Sequence, residues 1–462
     1  MPTSCWSRGL MKSLLTSPSM TSSACRFIRR RAPSPPVDSG ETSTSRMLDE
    51  AATFSDVHNV ILTPTTQLPY PEKQLREHLD KTSRELLKER NKVRYGNKRK
   101  ATSGIAFTHI PIEKHVVLLF PGQGAQFVGM GEKLESIPEA KKVFDTASEV
   151  LGYDMLELCK KGPKTKLDQT LYCQPSVVTC GVAAFEAFKA QEPGVAEFIT
   201  DVAGFSVGEY AALVAGDMMS FEDVIKIVKV RAEAMHECGQ LIRSGMATVR
   251  VKAASRLEEA MQDARDVAKE KGELDVCEIA NFLFCGVRVI GGSETCLKFL
   301  EEHQNEYQFQ VVKRLAVSAA FHTRQMDDAV VKVRTAVARA ELKYPACNVY
   351  SNYTGHIFPA KKGEIRAALA KQVNNPVKWE QIQQLLYRKK QEDLFPRFVE
   401  VGPGRQLGAM LLQTSKKAIT DGRSAMSLSV HGRHRRSASF QPHRPCTVRD
   451  KCNVAPSESG AA

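Results

Sequence analysis

The sequence has no long hydrophobic run. Its uninterrupted apolar segments, such as VVLLF at 116–120, are far shorter than the roughly 20 residues that a membrane-spanning helix needs, so we expect no membrane span. The composition, with 42% hydrophobic and 25% charged residues, is typical of soluble globular proteins and excludes collagen-like and wholly disordered chains. The length of 462 residues predicts two to three domains of about 150 residues each.

Metal and nucleotide signatures are also missing. The 12 cysteines include no Cys-x-x-Cys pair, and there is no GxxxxGKS/T loop, which argues against zinc and nucleotide sites. Cys277, Cys285 and Cys296 fall inside apolar runs, where cysteine behaves as a small buried residue. We therefore expect free thiols and no metal.

The net charge of +13 does not indicate a nucleic-acid-binding core. Residues 1–46, 47–100 and 415–462 carry net charges of +5, +3 and +6, which leaves 101–414 at −1. Because binding to RNA or DNA needs a concentrated basic surface, we expect no nucleic-acid partner for this central part.

Acidic residues are absent from the first 37 positions, which contain six Arg or Lys and many Ser and Thr residues. This composition is typical of a mitochondrial transit segment, which we assign to residues 1–46. The segment lacks the apolar stretch of a secretory signal. The alternative is an N-terminus that is disordered and carries no targeting information.

Hydrophobic patterning from residue 115 onward indicates alternating strands and helices. HVVLLF at 115–120 and VAGFS at 202–206 read as buried strands, with helical patterns near 138–150, 175–190 and 221–238. This alternation predicts an α/β domain with a parallel sheet. A polar connector precedes it at 47–110, with a predicted helix at 71–93.

The order of predicted elements changes after residue 244. Residues 244–318 read as strand, helix, two strands, helix and strand, the βαββαβ order of ferredoxin-like domains. We expect this small domain to be inserted between the two parts of a large α/β domain, 111–243 and 319–414. The segment 415–462 loses periodicity and is predicted to be a disordered tail.

The pattern GFSVG at 204–208 carries the sharpest chemical signal. In G-x-S-x-G the serine sits on a tight turn between a strand and a helix, where the helix N-terminus can stabilise an oxyanion. Here an apolar strand pattern precedes Ser206 and EYAALVA follows it. This context favours a nucleophilic serine over a chance match.

Three further features could complete such a site, and each has an alternative explanation. A serine nucleophile needs a base; His322 lies at a predicted strand-to-helix junction, although it could simply cap the helix. The loop PGQGAQ at 121–126 could contribute backbone amides to an oxyanion hole, or be a plain turn or a phosphate loop. Arg231 lies among apolar and small residues of a helix, where it could form an internal ion pair or bind a substrate carboxylate.

Six motifs make the chain recognisable. In order, they are LLFPGQGAQFVGMG, AGFSVGEYAALVAG, VKVRAEAM, SAAFHT, NPVKWE and VEVGPGRQLGAML. Together they resemble the malonyl-CoA:acyl carrier protein transacylase family, and most closely its animal mitochondrial form. The resemblance covers about 115–414. It implies an α/β hydrolase-like large domain with an inserted ferredoxin-like small domain. After Leu411 or Leu412 the sequence departs from the family pattern, in which further helix and strand usually follow.

The resemblance also implies a role for individual positions. Ser206 matches the nucleophile and His322 its general base and acid, while Arg231 would bind the malonyl carboxylate. The other matching positions would have auxiliary roles. The backbone carbonyl of Gln372 would orient His322, and the backbone amides of Gln123 and Val207 would bind the oxyanion. Asn281 and Asn352 would line the substrate-binding cleft.

The implied reaction moves a malonyl group from malonyl-CoA to the phosphopantetheine thiol of acyl carrier protein, through a malonyl-serine intermediate, for mitochondrial type II fatty-acid synthesis. It requires no cofactor, because the phosphopantetheine belongs to the carrier. We expect a monomer in the mitochondrial matrix. The alternatives are a serine thioesterase or esterase on the same scaffold, and a truncated, non-catalytic isoform that binds acyl carrier protein.

Overall fold

The structure is a computed structural model that describes residues 104–389, 391, 394–414 and 426–428. Within these ranges the strands form two sheets. The strands are β1 Val116–Phe120, β2 Ile199–Gly204, β3 Ser244–Arg250, β4 Cys277–Phe284, β5 Val287–Ser293, β6 Gln310–Arg314, β7 Asn348–Ser351, β8 His356–Ile357, β9 Val377–Lys378, β10 Arg397–Val401 and β11 Met426–Leu428. The first sheet has the order β11-β10-β1-β2-β7-β8, and the second has the order β6-β3-β5-β4-β9.

Helices connect and cover these strands. None of those in the described ranges combines the length and the apolar character needed to cross a membrane. The helices are α1 Pro138–Leu151, α2 Met155–Lys161, α3 Lys164–Leu167, α4 Thr170–Gln191, α5 Pro193–Ala196, α6 Gly208–Ala215, α7 Phe221–Gln240, α8 Leu257–Glu270, α9 Glu294–His303, α10 Asp327–Arg339, α11 Lys362–Lys371, α12 Trp379–Tyr387 and α13 Gln406–Thr414.

The first sheet is parallel except at one edge. Strand β1 pairs in parallel with β2 and β10, β2 with β7, and β10 with β11, whereas β7 and β8 are antiparallel. Side chains of β1 alternate between two apolar clusters, with Leu118 and Phe120 in one and Val117 and Leu119 in the other. Because both faces of the strand are covered, it reads as a continuous apolar run. The predicted α/β fold with a buried parallel strand is confirmed.

The second sheet is built mainly from residues 244–314. The chain runs β3, α8, β4, β5, α9 and β6, and the pairs β3–β5, β3–β6 and β4–β5 are antiparallel. This is the βαββαβ order that the sequence predicted. Strand β9, from later in the chain, pairs with β4 in parallel and so ties this sheet to the rest of the molecule.

Two details of the structure differ from the sequence-based expectations, and two further expectations fall outside the described residues. The sequence FQVVKRLAV at 309–317 predicts the last strand of the small domain, but β6 ends at Arg314, because 315–322 forms turns and bends that lead toward the next helix. Residues 426–428 form a strand paired with β10, so the expectation of a tail without regular structure is wrong for these three positions. The predicted helix at 71–93 and the segment 1–46 lie outside the described residues.

A buried ion pair joins the second sheet to helix α12. Arg288 on β5 and Glu380 at the start of α12 approach to 2.9 Å between Nη1 and Oε2, and both side chains are almost fully buried. The Arg288 guanidinium also lies 5.0 Å from the ring centre of Phe282. Removing one partner of a buried pair leaves the other charge uncompensated.

We therefore expect Arg288→Met to lower the free energy of unfolding by about 3 kcal/mol, because Glu380 would lose its buried ionic partner. Urea denaturation followed by tryptophan fluorescence and circular dichroism measures the change. The double variant Arg288→Met with Glu380→Gln should recover part of the loss. A single variant as stable as the wild type would contradict a stabilising role for this pair.

Candidate active site

Ser206 lies between strand β2 and helix α6, at the carboxyl edge of the parallel sheet. The last residues of β1 and β2, Phe120 and Gly204, are paired, and the Phe205 N–H donates to the Phe120 carbonyl at 2.9 Å. The glycine loop that follows β1 therefore lies beside the serine turn. Ser206 has φ +52°, a left-handed conformation that costs a serine of order 1 kcal/mol and persists only where the surroundings enforce it.

The two glycines of GFSVG are required by close backbone approach. A Cβ on Gly204 would lie 2.0 Å from the carbonyl of Gly208, and one on Gly208 would lie 2.4 Å from the Phe120 carbonyl oxygen. No side chain fits at either distance. The G-x-S-x-G spacing thus reflects how tightly helix α6 is packed against the ends of β1 and β2.

His322 contacts the serine hydroxyl. Its Nε2 lies 2.7 Å from Ser206 Oγ, and its Nδ1 lies 2.8 Å from the backbone carbonyl oxygen of Gln372. Since that carbonyl can only accept, Nδ1 carries the proton and Nε2 is free to accept one from the serine. The structure thus brings together Ser206, His322 and Gln372 in the arrangement expected for a nucleophile, a base and its orienting group.

The location of His322 differs from the sequence-based interpretation. We expected it at a strand-to-helix junction of the α/β sheet. Instead it follows β6, an edge strand of the second sheet, in a turn before the short 3-10 helix Arg324–Met326. Its backbone is left-handed, with φ +62°, and its N–H donates to the carbonyl of Val373. Contact with the segment around Gln372, rather than a strand end, holds this residue in place.

The pKa of His322 is lowered to about 3, mainly by burial and secondly by the nearby positive charge of Arg231. Both causes disfavour the charged imidazolium. The ring is therefore neutral throughout the physiological pH range and can act as a proton acceptor.

Arg231 is fully buried in helix α7, and its hydrogen-bond partners are all neutral. Nη1 donates to Gln174 Oε1 at 2.5 Å, and Nη2 donates to Gln372 Oε1 at 2.9 Å and to Ser206 Oγ at 3.2 Å. Its Nε has no acceptor among the described residues. A buried guanidinium held by neutral groups retains an uncompensated charge, which favours the binding of an anion beside the serine.

Glu209, the residue after the GFSVG motif, is also fully buried. Burial raises its pKa to about 8, against the opposing effects of the Asn352 N–H, Gln372 and Arg231. At neutral pH this carboxyl is therefore largely protonated and does not neutralise Arg231. Because an unfolded chain would release this proton near pH 4.3, the group's contribution to stability falls as the pH rises from there to about 8.

The side chains of Ser206 and His322 line a cleft of about 410 Å³. Ser206, His322, Gln123 and Asn281 line it together with Gln174, and the Asn281 Oδ1 has no hydrogen-bond partner among the described residues. Most of the remaining wall is apolar and comes from the second sheet, the 315–322 segment, the serine turn, α7 and α13. Apolar examples are Phe205, Met235, Met246, Leu283, Phe321 and Met410.

Asn352 was expected in the wall of this cleft, and that expectation is wrong. Its side chain is fully buried, its Oδ1 accepts the Ser206 N–H at 2.6 Å, and its Nδ2 donates to the Gly204 carbonyl at 2.7 Å. Both polar atoms are thus occupied by the backbone of the serine turn. Val207 is likewise buried, immediately before helix α6 begins.

Sequence reasoning missed Gln174 and Glu209. Gln174 precedes a proline that lies inside helix α4, and neither its spacing nor its type distinguishes it from a solvated glutamine. Glu209 adjoins the GFSVG motif, so a buried position could have been inferred from its apolar neighbours. In the described part of the chain, no cluster of three His, Cys, Asp or Glu residues could hold a metal ion.

Comparison with known proteins identifies the class. Residues 117–455 match the family model of the acyl transferase domain, and the chain belongs to this family. The match extends past residue 414, where we expected the family resemblance to end. A Homo sapiens relative, malonyl-CoA-acyl carrier protein transacylase, mitochondrial, is 43% identical over 303 residues, which are 65% of this chain and 77% of that protein.

Solved structures give the same result for the fold. An acyl-carrier-protein S-malonyltransferase from Burkholderia pseudomallei is 28% identical, with a TM-score of 0.59 over 68% of this chain and 96% of that one. A type II PKS acyl-carrier protein in complex with its malonyl-transacylase provides another similar chain, 28% identical with a TM-score of 0.58 over 66% of this chain and 94% of that one. The resemblance identified from the six motifs is confirmed.

The low pKa of His322 predicts how acylation depends on pH. We expect kcat/KM for the acyl donor to stay level from about pH 7 down to about pH 5, because His322 is already neutral there. Stopped-flow release of the donor thiol over this range provides the test. An acid limb with a midpoint near the ordinary histidine pKa of about 6.5 would show that His322 is not held in this environment.

Proposed function

We propose that this protein transfers a malonyl group from malonyl-CoA to the phosphopantetheine thiol of acyl carrier protein through a malonyl ester of Ser206. One observation carries the proposal: the Ser206 hydroxyl lies 2.7 Å from His322 Nε2 and 3.2 Å from Nη2 of the buried Arg231. A nucleophile, a base and a binding site for an anionic acyl group therefore meet at one atom. The names of the human relative and of the similar solved chains support this reaction.

In the first half of the reaction, Ser206 Oγ attacks the thioester carbon while His322 Nε2 takes its proton. The resulting oxyanion is stabilised by the backbone amides of Gln123 and Val207, each such donor being worth about 3 kcal/mol. The carbon–sulfur bond then breaks, and His322 returns the proton to the departing CoA thiolate. The second half reverses these steps with the carrier thiol as the nucleophile.

Arg231 selects the acyl group. A malonyl carboxylate that reaches the guanidinium would take the place of neutral acceptors such as the amide oxygens of Gln174 and Gln372. Bidentate hydrogen bonds between a guanidinium and a carboxylate are strong and directional. Pairing also cancels the positive charge that helps to lower the pKa of His322. The bound carboxylate therefore makes the base stronger at the step in which it accepts the serine proton.

A thioesterase or esterase on the same scaffold remains the alternative that an experiment must separate. Such an enzyme would direct water onto the acyl-serine. The largely apolar cleft favours a long thiol arm over ordered water, and the uncompensated Arg231 favours a carboxylated acyl group. A non-catalytic isoform is less consistent with the site, because the contacts of Ser206, His322, Gln372 and Arg231 are all formed.

The domain organisation fits this function. We propose a ferredoxin-like small domain at 244–318 within a hydrolase-like large domain formed by 111–243 and 319–414. The antiparallel βαββαβ order of the first and the parallel sheet with a serine turn in the second support this division. The cleft lies between them, so closing or opening the two would change access to Ser206.

We also propose that the protein works as a monomer in the mitochondrial matrix, supplying type II fatty-acid synthesis. The basic, acid-poor segment 1–46 and the mitochondrial name of the human relative support this location. The partner is acyl carrier protein, in line with the solved complex, and the reaction as derived needs no cofactor.

The direct test compares wild type with Arg231→Met, giving each malonyl-CoA or acetyl-CoA together with holo acyl carrier protein. Wild type should load malonyl onto the carrier, resolved by intact mass. In Arg231→Met we expect the preference for malonyl over acetyl to fall about 100-fold, since a charge-assisted contact is lost. The side chains are similar in volume, so folding should survive, and a thermal melt checks it.

Arg231→Lys is the matched control, because it keeps the charge but not the bidentate geometry. It should retain part of the preference for malonyl. Release of free malonate without loading of the carrier would instead support the thioesterase. An unchanged preference in the folded Arg231→Met variant would remove Arg231 from acyl selection.

A further inference from the structure

Two buried amide side chains hold both peptide groups of the nucleophile. Asn352 Oδ1 accepts the Ser206 N–H at 2.6 Å, and Gln372 Nε2 donates to the Ser206 carbonyl at 2.7 Å. Asn352 Nδ2 also donates to the Gly204 carbonyl at 2.7 Å. The left-handed residue is therefore bonded on each side by a side chain from a distant part of the sequence.

The bond from Gln372 has a consequence for the next residue. The Ser206 carbonyl and the Val207 N–H belong to one planar trans peptide group and point in opposite directions. By binding the carbonyl, the Gln372 amide fixes the plane of this group and hence the direction of the Val207 N–H. That N–H is one of the two donors assigned to the oxyanion, so its direction matters for catalysis.

Asn352 is itself held firmly. It directly follows strand β7, its own N–H donates to Glu209 Oε2 at 2.7 Å, and its carbonyl accepts the Lys378 N–H at 3.0 Å. Glu209 lies in the first turn of α6, the helix that Ser206 leads into. The asparagine thus bridges the strand before the serine, the serine itself and the helix after it.

Gln372 also connects the groups that act on substrate. Its Oε1 accepts from Arg231 Nη2, while its backbone carbonyl accepts from His322 Nδ1. One residue therefore contacts the base, the anion-binding guanidinium and the backbone of the nucleophile. The serine turn cannot relax toward a right-handed conformation without breaking the contacts of both amides.

We infer that the side chains of Asn352 and Gln372 are positioning residues that clamp the Ser206 peptide groups, holding Oγ toward His322 and the Val207 N–H toward the oxyanion. This inference rests on the proposed transacylation for its substrate. It concerns the reactivity of the serine, however, and can be measured with a reagent other than malonyl-CoA.

The chain offers a matched control for Asn352. Asn348, four residues earlier on β7, is also buried, and its amide also bridges a backbone, accepting the Ile105 N–H at 2.7 Å and donating to the Ile105 carbonyl at 3.1 Å. Asn352→Leu and Asn348→Leu therefore remove the same type of interaction from the same strand region, but only the first removes it from the serine turn.

The experiment measures reaction of each full-length variant with a fluorophosphonate and, separately, with malonyl-CoA. The fluorophosphonate forms a bond from Ser206 Oγ to phosphorus, releases fluoride and passes the serine proton to His322. We expect Asn352→Leu to react about 100-fold more slowly than wild type, the scale of loss caused by a displacement of about 1 Å. KM for malonyl-CoA should be nearly unchanged, and Asn348→Leu should react at the wild-type rate.

Folding is checked by thermal melts. If Asn352→Leu does not fold, Gln372→Met serves in its place, because it removes the side-chain bond to Ser206 but keeps the backbone carbonyl that orients His322. For whichever variant folds, equal reactivity with Asn348→Leu would overturn the clamp. Wild type that reacts with the fluorophosphonate but never loads the carrier would contradict the proposed function and leave the clamp standing.

Discussion

At Ser206 the chain turns from a buried strand into a helix within four residues, and it does so through a left-handed backbone that is unfavourable for serine. The turn is possible because Gly204 and Gly208 carry no side chain where the backbones meet. It persists because the packed ends of β1 and β2 and two buried amides leave it no alternative. The direction of the hydroxyl, and its contact with His322, follow from this backbone.

The second constraint is electrostatic. A buried guanidinium, Arg231, is placed next to the nucleophile, while the nearby carboxyl of Glu209 keeps its proton because burial raises its pKa to about 8. Among the residues that the structure describes, no charged carboxylate pairs with this guanidinium. Together with burial, that charge lowers the pKa of His322. In the proposed function it also attracts an acyl group that carries its own carboxylate.

Much of the fold could be predicted because the local patterns are strong. The apolar run at 116–120, the strand before GFSVG and the βαββαβ order all appear at nearly the predicted positions. Parallel pairing of adjacent strands then places PGQGAQ beside GFSVG without further information. The positions at which helices and strands end were less predictable, as β6 shows, because these ends depend on tertiary packing rather than on propensity.

The site was only partly accessible from sequence. Ser206 has a local signature, but His322 is 116 residues away, and only the family resemblance singled it out with any force. The contact through the Gln372 carbonyl has no signature, because every residue has a carbonyl. Asn352 was assigned to the cleft from the family resemblance, whereas its amide is bonded to the backbone of the serine turn. Burial of this kind is not visible in a single sequence.

The most direct test of the account is to expose the protein to malonyl-CoA without carrier, quench the reaction within one turnover and locate the adduct by peptide mass mapping. We expect one malonyl group on the peptide that contains Ser206, absent in folded Ser206→Ala and lost from the enzyme when holo acyl carrier protein is added. An adduct on another residue, or malonyl transfer by Ser206→Ala at the wild-type rate, would contradict it.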